Sequence, residues 1–414
     1  MQAVEIGEGV YWVGALDWNG RNFHGYTTPR GTSYNAYLIT GEQNVLIDAV
    51  KAPFLDQLVS RITSVMNPKD IDLIISNHVE MDHSSGLPAM QALTGARILA
   101  SKRGVEGLKL HYETIEVEAV KDEGEIKAGA RTLRFYETPF LHWPDSMFTY
   151  LVEDGVLFSM DAFGQHLCTS GRFDDDVDQS QLWQELSRYY ANIVIPFGNQ
   201  VLRAYGRIKD LKLNLVAPSH GVIWRKGFAR AAEKYLYWAQ GRTKEKVVIA
   251  YDTMWNSTKI MAETIAEAIA EGGVQADLYR ISCTDRATIM EDILEARAVL
   301  IGTPTLHATI FPTVADFSTY MRGLRSKGKV GGAFGSYGWG GGAVKEVRER
   351  MEAGGIATEF GELEVRYVPK LADRDRCREW GKRVAQRVKE IGAPAPTEGG
   401  GKGGAASETA ASRK

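Results

Sequence analysis

Short apolar runs punctuate the first half of the chain: Tyr34–Ile39, Asn44–Ala49, Leu73–Ser76, Phe148–Glu153 and Val156–Met160, separated by Gly, Asp and Asn turns. Runs of this length bounded by turn formers predict strands. Between them the spacing of apolar residues changes to three and four in Pro53–Met66 and in the aromatic-rich Gln179–Ala191, which predicts helices covering a sheet-rich domain. The amphipathic stretch from Phe228 to Ala239, closed by Gly241, predicts a connector packing on one domain or both, with a boundary near residue 243. Beyond it strand and helix alternate. Lys246–Tyr251, Val299–Gly302 and Val330–Gly335 predict strands, and Thr258–Glu271, Ser318–Ser326 and Val344–Ala353 predict helices. Such alternation predicts a parallel, doubly wound sheet. From Gly392 the chain is rich in Ala, Pro, Gly, Ser and Lys and almost without large apolar residues, which predicts a disordered tail over 394–414.

Composition narrows the function classes. A chain of 414 residues is long enough for two cores. A net charge of −3 with 24% charged residues gives no electrostatic reason to bind nucleic acid or an anionic membrane, so a small-molecule substrate is expected. Cys168, Cys283 and Cys377 lie far apart and form no Cys-x-x-Cys pair. Neither a disulfide framework nor a thiolate metal site follows, and a reducing cytoplasm is the expected compartment. The amino terminus lacks a basic start and an apolar core, and no apolar run reaches the roughly eighteen residues of a membrane span, so no membrane association is expected.

Chemistry concentrates in the run His78-Val-Glu80-Met-Asp82-His83, which follows the apolar segment Asp72–Ser76. A loop at the carboxyl end of a rigid strand can curl around an ion and present several of these groups, although the same residues also make ordinary polar turns. His142, Asp161 and His220 each follow another strand-like segment. That pattern favours one metal constellation, and it leaves His24, His111, His166 and His307 to surface or hydrogen-bonding roles. A helical carboxylate bundle would need Glu-x-x-His twice, on long helices. Here Glu80-Met-Asp-His83 occurs once, after a strand.

Three further loops follow strands of the second half. Asp252 is followed by Thr253, Met254, Trp255, Asn256, Ser257 and Thr258, a hydroxyl-rich turn opening a helix, which suits a phosphate as well as an ordinary cap. Gly302 leads into Thr303, Pro304, Thr305 and Leu306, and Gly335 into Ser336, Tyr337, Gly338, Trp339, Gly340 and Gly341. Glycine lets backbone approach a planar ring, and Tyr337 or Trp339 can shield one; core packing is the alternative for both aromatics. No Gly-x-Gly-x-x-Gly fingerprint with a following acidic residue is present, so a dinucleotide site is not expected and electrons would come from another protein or a flavin-type donor.

The ligand pattern resembles the metallo-β-lactamase fold, with Glu80 where its zinc members carry a second His. A carboxylate in place of an imidazole makes the site harder and favours iron or manganese over zinc. With Glu80, the set His78, Asp82, His83, His142, Asp161 and His220 resembles the flavodiiron proteins, and the three loops resemble flavodoxin's phosphate loop and its two isoalloxazine loops. The resemblance implies α/β and α+β folds: a metallo-β-lactamase-like αββα sandwich over 1–243, then a flavodoxin-like doubly wound parallel sheet over 244–393. It implies a non-haem diiron centre, with one iron on His78, Glu80 and His142, the other on Asp82 and His220 with or without His83, and Asp161 bridging. It implies FMN as the second cofactor, and reduction of dioxygen to water or nitric oxide to nitrous oxide. Rubredoxin, or a reduced deazaflavin, is the implied donor, and a head-to-tail homodimer or a dimer of dimers the implied assembly. His24, Tyr26 and Tyr190 are placed by the same analogy at the pocket wall. Two other readings are a zinc-dependent hydrolase with a flavodoxin-like accessory domain, and a flavodoxin-type electron carrier with a docking scaffold.

Overall fold

The computed structural model describes residues 1–392, and the tail expected over 394–414 lies outside them. The apolar runs of the first half become two facing sheets. One has seven strands in the order Val4–Gly7, Val10–Trp12, Tyr37–Ile39, Val45–Ile47, Leu73–Ser76, Arg97–Ala100 and Val117–Ala119. The other has five: Glu125–Ala128, Arg131–Glu137, Met147–Leu151, Val156–Met160 and Leu215–Pro218. Side chains alternate faces along a strand. Leu73 and Ile75 therefore meet Phe135, Met147 and Phe158 between the sheets. Ile74 points the other way, to Leu58, Ile62 and Leu87 of the helices Leu55–Thr63 and Leu87–Thr94. On the far side Phe148 and Leu157 are covered by Leu186 and Tyr189 of the helix Gln179–Tyr189 and by Tyr235 and Trp238 of the helix Phe228–Ala239. The layers are thus helix, sheet, sheet, helix. Tyr34–Ile39, expected as one strand, is interrupted between Thr32–Tyr34 and Tyr37–Ile39, because Asn35 leaves the ladder to donate its side-chain amide to the carbonyls of Pro218 and Gly221.

From Lys244 onward five parallel strands lie in the order Gln275–Arg280, Lys244–Tyr251, Ala296–Leu306, Val330–Tyr337 and Glu362–Arg366. The helices Ser257–Glu271 and Leu371–Glu390 cover one face, and Arg286–Glu295, Pro312–Leu324 and Ala343–Ala353 the other. This is a doubly wound sheet, whose ligands bind beyond the strands' carboxyl ends. Two expectations need correction. Gly302–Leu306 is not a loop: the strand runs on to Leu306 because Thr305 and Leu306 pair back with Thr309–Ile310. The helix expected from Ser318 begins at Pro312, whose fixed φ and missing N–H suit a first helical turn. Among the described residues no helix is long and apolar enough to cross a membrane.

Candidate metal centre

Four strands end at one rim of the sandwich, and each passes the chain to a candidate ligand. Leu73–Ser76 leads to His78 and Glu80. The chain then takes a short helix, Met81–Ser84, rather than the loop expected there, and this turn carries Asp82 and His83. Arg131–Glu137 leads to His142, Val156–Met160 to Asp161, and Leu215–Pro218 to His220. Ligand-type atoms of His78, Glu80, His142 and Asp161 all lie within 4.8 Å of one another, and those of Asp82, His83 and His220 form a second such group. Asp161 faces both. Its Oδ2 is 3.0 Å from His142 Nε2 and 3.6 Å from His78 Nε2, while Oδ1 is 3.3 Å from His83 Nε2 and 3.5 Å from His220 Nε2.

Neighbours outside these groups orient the donors. Asp145 Oδ2 pairs with His78 Nδ1 at 2.8 Å and accepts the Val79 N–H at the same distance. His220 Nδ1 meets the Ser33 carbonyl at 2.6 Å, and since a carbonyl only accepts, that nitrogen carries the proton. In both rings Nε2 is then left to face the cluster. Ser219 donates to Asp161 Oδ1 at 2.6 Å. The sequence pattern marks neither Asp145 nor Ser33, since each is recognisable only by the imidazole it meets.

The residues fit a metal. Asp82 Oδ1 and His83 Nδ1 are buried with no partner among the described residues, while Asp82 Oδ2 and His83 Nε2 lie 3.2 Å apart without forming a hydrogen bond. Such orphaned atoms cost about 1–3 kcal/mol each unless an ion or another partner takes them up. Burial alone would depress the imidazoles below their usual 6.5, but the carboxylates outweigh it. Asp145 and Glu80 hold His78 well above that value, Asp82 and Asp161 lift His83 to about 9, and Asp161 and Glu80 lift His142 to about 9. Burial pushes Glu80 and Asp161 up, yet the facing histidines hold both well below the carboxylate range. A cluster that gathers protons in this way is one in which a cation can replace them.

Beside Glu80 and His142 opens a cavity of about 320 Å³ whose wall includes His24, Tyr26, Asn192 and Tyr320. His24 Nε2 lies 2.5 Å from Glu80 Oε1, and the Tyr26 hydroxyl is buried without a partner among the described residues. Tyr190, expected at this wall, lies elsewhere. After Tyr189 the helix widens into a π-turn, Tyr190–Val194, and the Tyr190 ring packs 4.9 Å from both Tyr235 and Trp238, while Tyr189 faces His166 and His220. His111 and His307 are exposed. His166 is buried with its ring 4.7 Å from His220 and Nδ1 2.7 Å from Thr32 Oγ1, and burial reinforced by His220 holds it well below its ordinary pKa.

The three segments expected to bind a flavin meet at the carboxyl edge of the parallel sheet. Asn256 adopts φ 64° and turns the chain into the helix Ser257–Glu271, which has no side-chain cap on its first N–H groups. Thr258 Oγ1 lies 2.9 Å from Ser336 Oγ, joining the first and third segments. Thr253 Oγ1 and Thr305 Oγ1 are buried and unpartnered among the described residues, whereas Thr303 Oγ1 is spent on the Pro304 carbonyl at 2.9 Å. Trp255 and Trp339 are 87% and 90% exposed, which excludes core packing for Trp339, and a Cβ at Gly340 would meet nothing. Uncapped amides, free hydroxyls and open aromatics suit a phosphate and a planar ring.

Residues 32–221, which contain every candidate metal ligand, match the ODP family beta lactamase, and residues 249–381, which contain the three flavin segments, match flavodoxin. The chain is 45% identical over 396 residues to the nitric oxide reductase of Moorella thermoacetica, covering 94% of this chain and 99% of that one. Its fold is similar to that of the rubredoxin oxygen:oxidoreductase of the anaerobe Desulfovibrio gigas, with a TM-score of 0.92, 38% identity, and 94% and 99% of the two chains covered. It is also similar to the flavodiiron protein of Giardia intestinalis, with a TM-score of 0.90, 34% identity, and 94% and 97% covered.

Proposed function

This chain belongs to the flavodiiron proteins and is an oxidoreductase of dioxygen or nitric oxide; from that premise we propose that it works with two iron ions on the rim residues and with FMN on the three segments of the second domain. His78, Glu80 and His142 would hold one ion, Asp82, His83 and His220 the other, and Asp161 both. The observation that carries this reading is Asp161, with one oxygen turned to each group of donors. Three carboxylates among four imidazoles make a hard, anionic donor set, which favours iron over zinc. Bound iron supplies the redox change, and bound FMN the store of electrons, that reduction of either gas requires.

The chain's own residues do the rest. Asp145 and Ser33 keep Nε2 of His78 and His220 pointed at the cluster. Asn192, Tyr320 and Tyr26 enclose the cavity, and the partnerless Tyr26 hydroxyl can donate a hydrogen bond to a small guest there. His24 touches solvent on one side and Glu80 on the other, a path by which protons enter. We assign the donor as rubredoxin, the partner named for the Desulfovibrio gigas relative. A head-to-tail homodimer, alone or doubled, accounts for the exposed apolar group Trp339, Tyr367, Val368 and Leu371 beside the flavin segments. Three free cysteines, Cys168, Cys283 and Cys377, suit the cytoplasm.

Metal and flavin content should be measured on protein grown with both iron and zinc, and consumption of dioxygen and nitric oxide followed side by side after reduction by rubredoxin. Two irons and one FMN per chain with turnover of either gas are expected. Zinc occupancy with no gas turnover after iron reconstitution would overturn the reading, and turnover with a chemical reductant but not with rubredoxin would overturn the donor.

A further inference from the structure

The hairpin formed by Asn22–Phe23 and Tyr26–Thr27 has two residues in each strand, too few to hold itself together. At its tip His24 and Gly25 both adopt positive φ, 48° and 85°. A histidine keeps that conformation only where its surroundings impose it. From this tip the His24 ring reaches Glu80 Oε1, leaving Oε2 to face His78 at 3.3 Å and His142 at 3.2 Å. Its strands pack on their own domain through Phe23, 4.6 Å from the His166 ring, but the polar bonds at its tip and on Thr27 come from the other domain. Arg286 donates to the Gly25 carbonyl from Nη2 and from Nε, the latter at 2.8 Å, and Thr27 donates to Asp285 Oδ2 at 2.6 Å.

Arg286 is itself fixed. Its Nη1 bonds both Asp316 oxygens, at 2.8 and 2.9 Å, and its guanidinium lies 4.9 Å from the Tyr320 ring. Asp316 and Tyr320 share one face of the helix Pro312–Leu324 with Thr313. The Thr313 hydroxyl donates at 2.5 Å to Asp252, the buried carboxylate at the root of the first flavin segment, and Asp252 also accepts the Ser282 N–H at 3.2 Å, three residues before Asp285. A continuous set of contacts thus runs within one chain from the flavin segment to Glu80.

We propose that the Asp285–Arg286 corner of the flavodoxin-like domain is a positioning element of the metal centre: it clamps the hairpin that keeps His24 on the outer oxygen of Glu80. A carboxylate with one oxygen so held offers the other to an ion in a single orientation, and freed of that bond it can rotate. This inference rests on the ligand role proposed above for Glu80.

The test compares Arg286→Met, His24→Ala and their double variant in the iron-loaded full chain, with Glu295→Gln as a control. Glu295 accepts the Trp238 indole N–H at 2.9 Å across the same domain interface and bonds neither the hairpin nor Asp285. The readouts are the electron paramagnetic resonance spectrum of the half-reduced iron pair and the rate of iron loss to a chelator. Arg286→Met and His24→Ala should each shift the spectrum and speed iron loss by about tenfold, the scale of losing an outer partner of a metal ligand. The double variant should be no worse than either, and Glu295→Gln should match the unaltered protein. A spectrum and a loss rate unchanged in Arg286→Met, or altered equally in Glu295→Gln, overturn the clamp. If Arg286→Met does not fold, the isosteric Thr27→Val removes the second anchor and decides in the same way: a shifted spectrum supports the clamp and an unchanged one overturns it. Glu80→Ala separates the two readings. Should it keep both irons and the original spectrum, the ligand role of Glu80 falls; should it lose them while Arg286→Met is unaltered, only the clamp falls.

Discussion

The two sites of this chain are built on opposite principles. At the rim of the sandwich nearly every candidate donor is buried, and four of the seven, His78, Glu80, Asp161 and His220, are aimed by a neighbour outside the cluster. At the edge of the parallel sheet the elements are open: an uncapped helix start, a glycine-rich turn and two tryptophans lying in solvent. A metal site must fix donor positions to a few tenths of an ångström before the ion arrives, which requires packing around each ligand. A flavin brings its own planar surface and phosphate, so the protein needs only backbone amides, hydroxyls and room.

The comparison is broken most severely at Asp161. Asp161→Ala removes the side chain that faces both donor groups and should cost more than about a hundredfold in gas reduction, beyond the loss of an outer partner, with metal content falling below two per chain. Metal analysis alongside steady-state consumption checks this. Asp145→Ala should weaken metal binding by about tenfold to a hundredfold while every ligand remains, because His78 loses the partner of its Nδ1; a chelator competition measures it. At the open site the corresponding change is smaller. Thr258→Val removes one hydroxyl at the helix start and should weaken FMN by about tenfold, read from recovery of flavin fluorescence on dilution, and leave iron content alone.

At the amino end of the strand Val330–Tyr337, away from both sites, lies a group that titrates. Lys329 is fully buried, donating to the carbonyls of Leu294 at 3.0 Å and Ala296 at 2.7 Å, and burial lowers its pKa from 10.5 to about 7. Between those values the unfolded chain binds a proton that the folded chain does not, so stability should climb as pH rises through this window, by at most about 1.4 kcal/mol per pH unit. Denaturation of unaltered protein and of Lys329→Met at pH 7 and pH 9 should show that rise only in the former. The smallest effect is expected at Trp339. Trp339→Ala should change stability by less than about 0.5 kcal/mol, since the ring buries nothing, while altering flavin fluorescence. A large loss of stability there would remove the contrast between a packed site and an open one.

The chain's local chemistry was enough to mark the candidate donors that the fold brings together. His78, Glu80, Asp82, His83, His142, Asp161 and His220 follow strands recognisable from their apolar runs, and Glu80 in a histidine's place points to a hard metal. The alternation beyond residue 243 likewise determined a doubly wound sheet, with the three candidate segments at strand ends. Strand limits were less legible: Gly302–Leu306 reads as a loop until Thr309–Ile310 is seen to pair with it. Only the tertiary structure decided what surrounds the ligands. Asp145 meets His78 across 67 positions, Ser33 meets His220 across 187, and Arg286 reaches Gly25 across 261. Tyr190, placed at the pocket wall by analogy, packs instead on Tyr235 and Trp238, where the helix widens into a π-turn that the sequence does not announce. A ligand can be read from its residue type and the strand before it, because both are local. An orienting bond depends on a separation of about 3 Å that the folded chain alone creates.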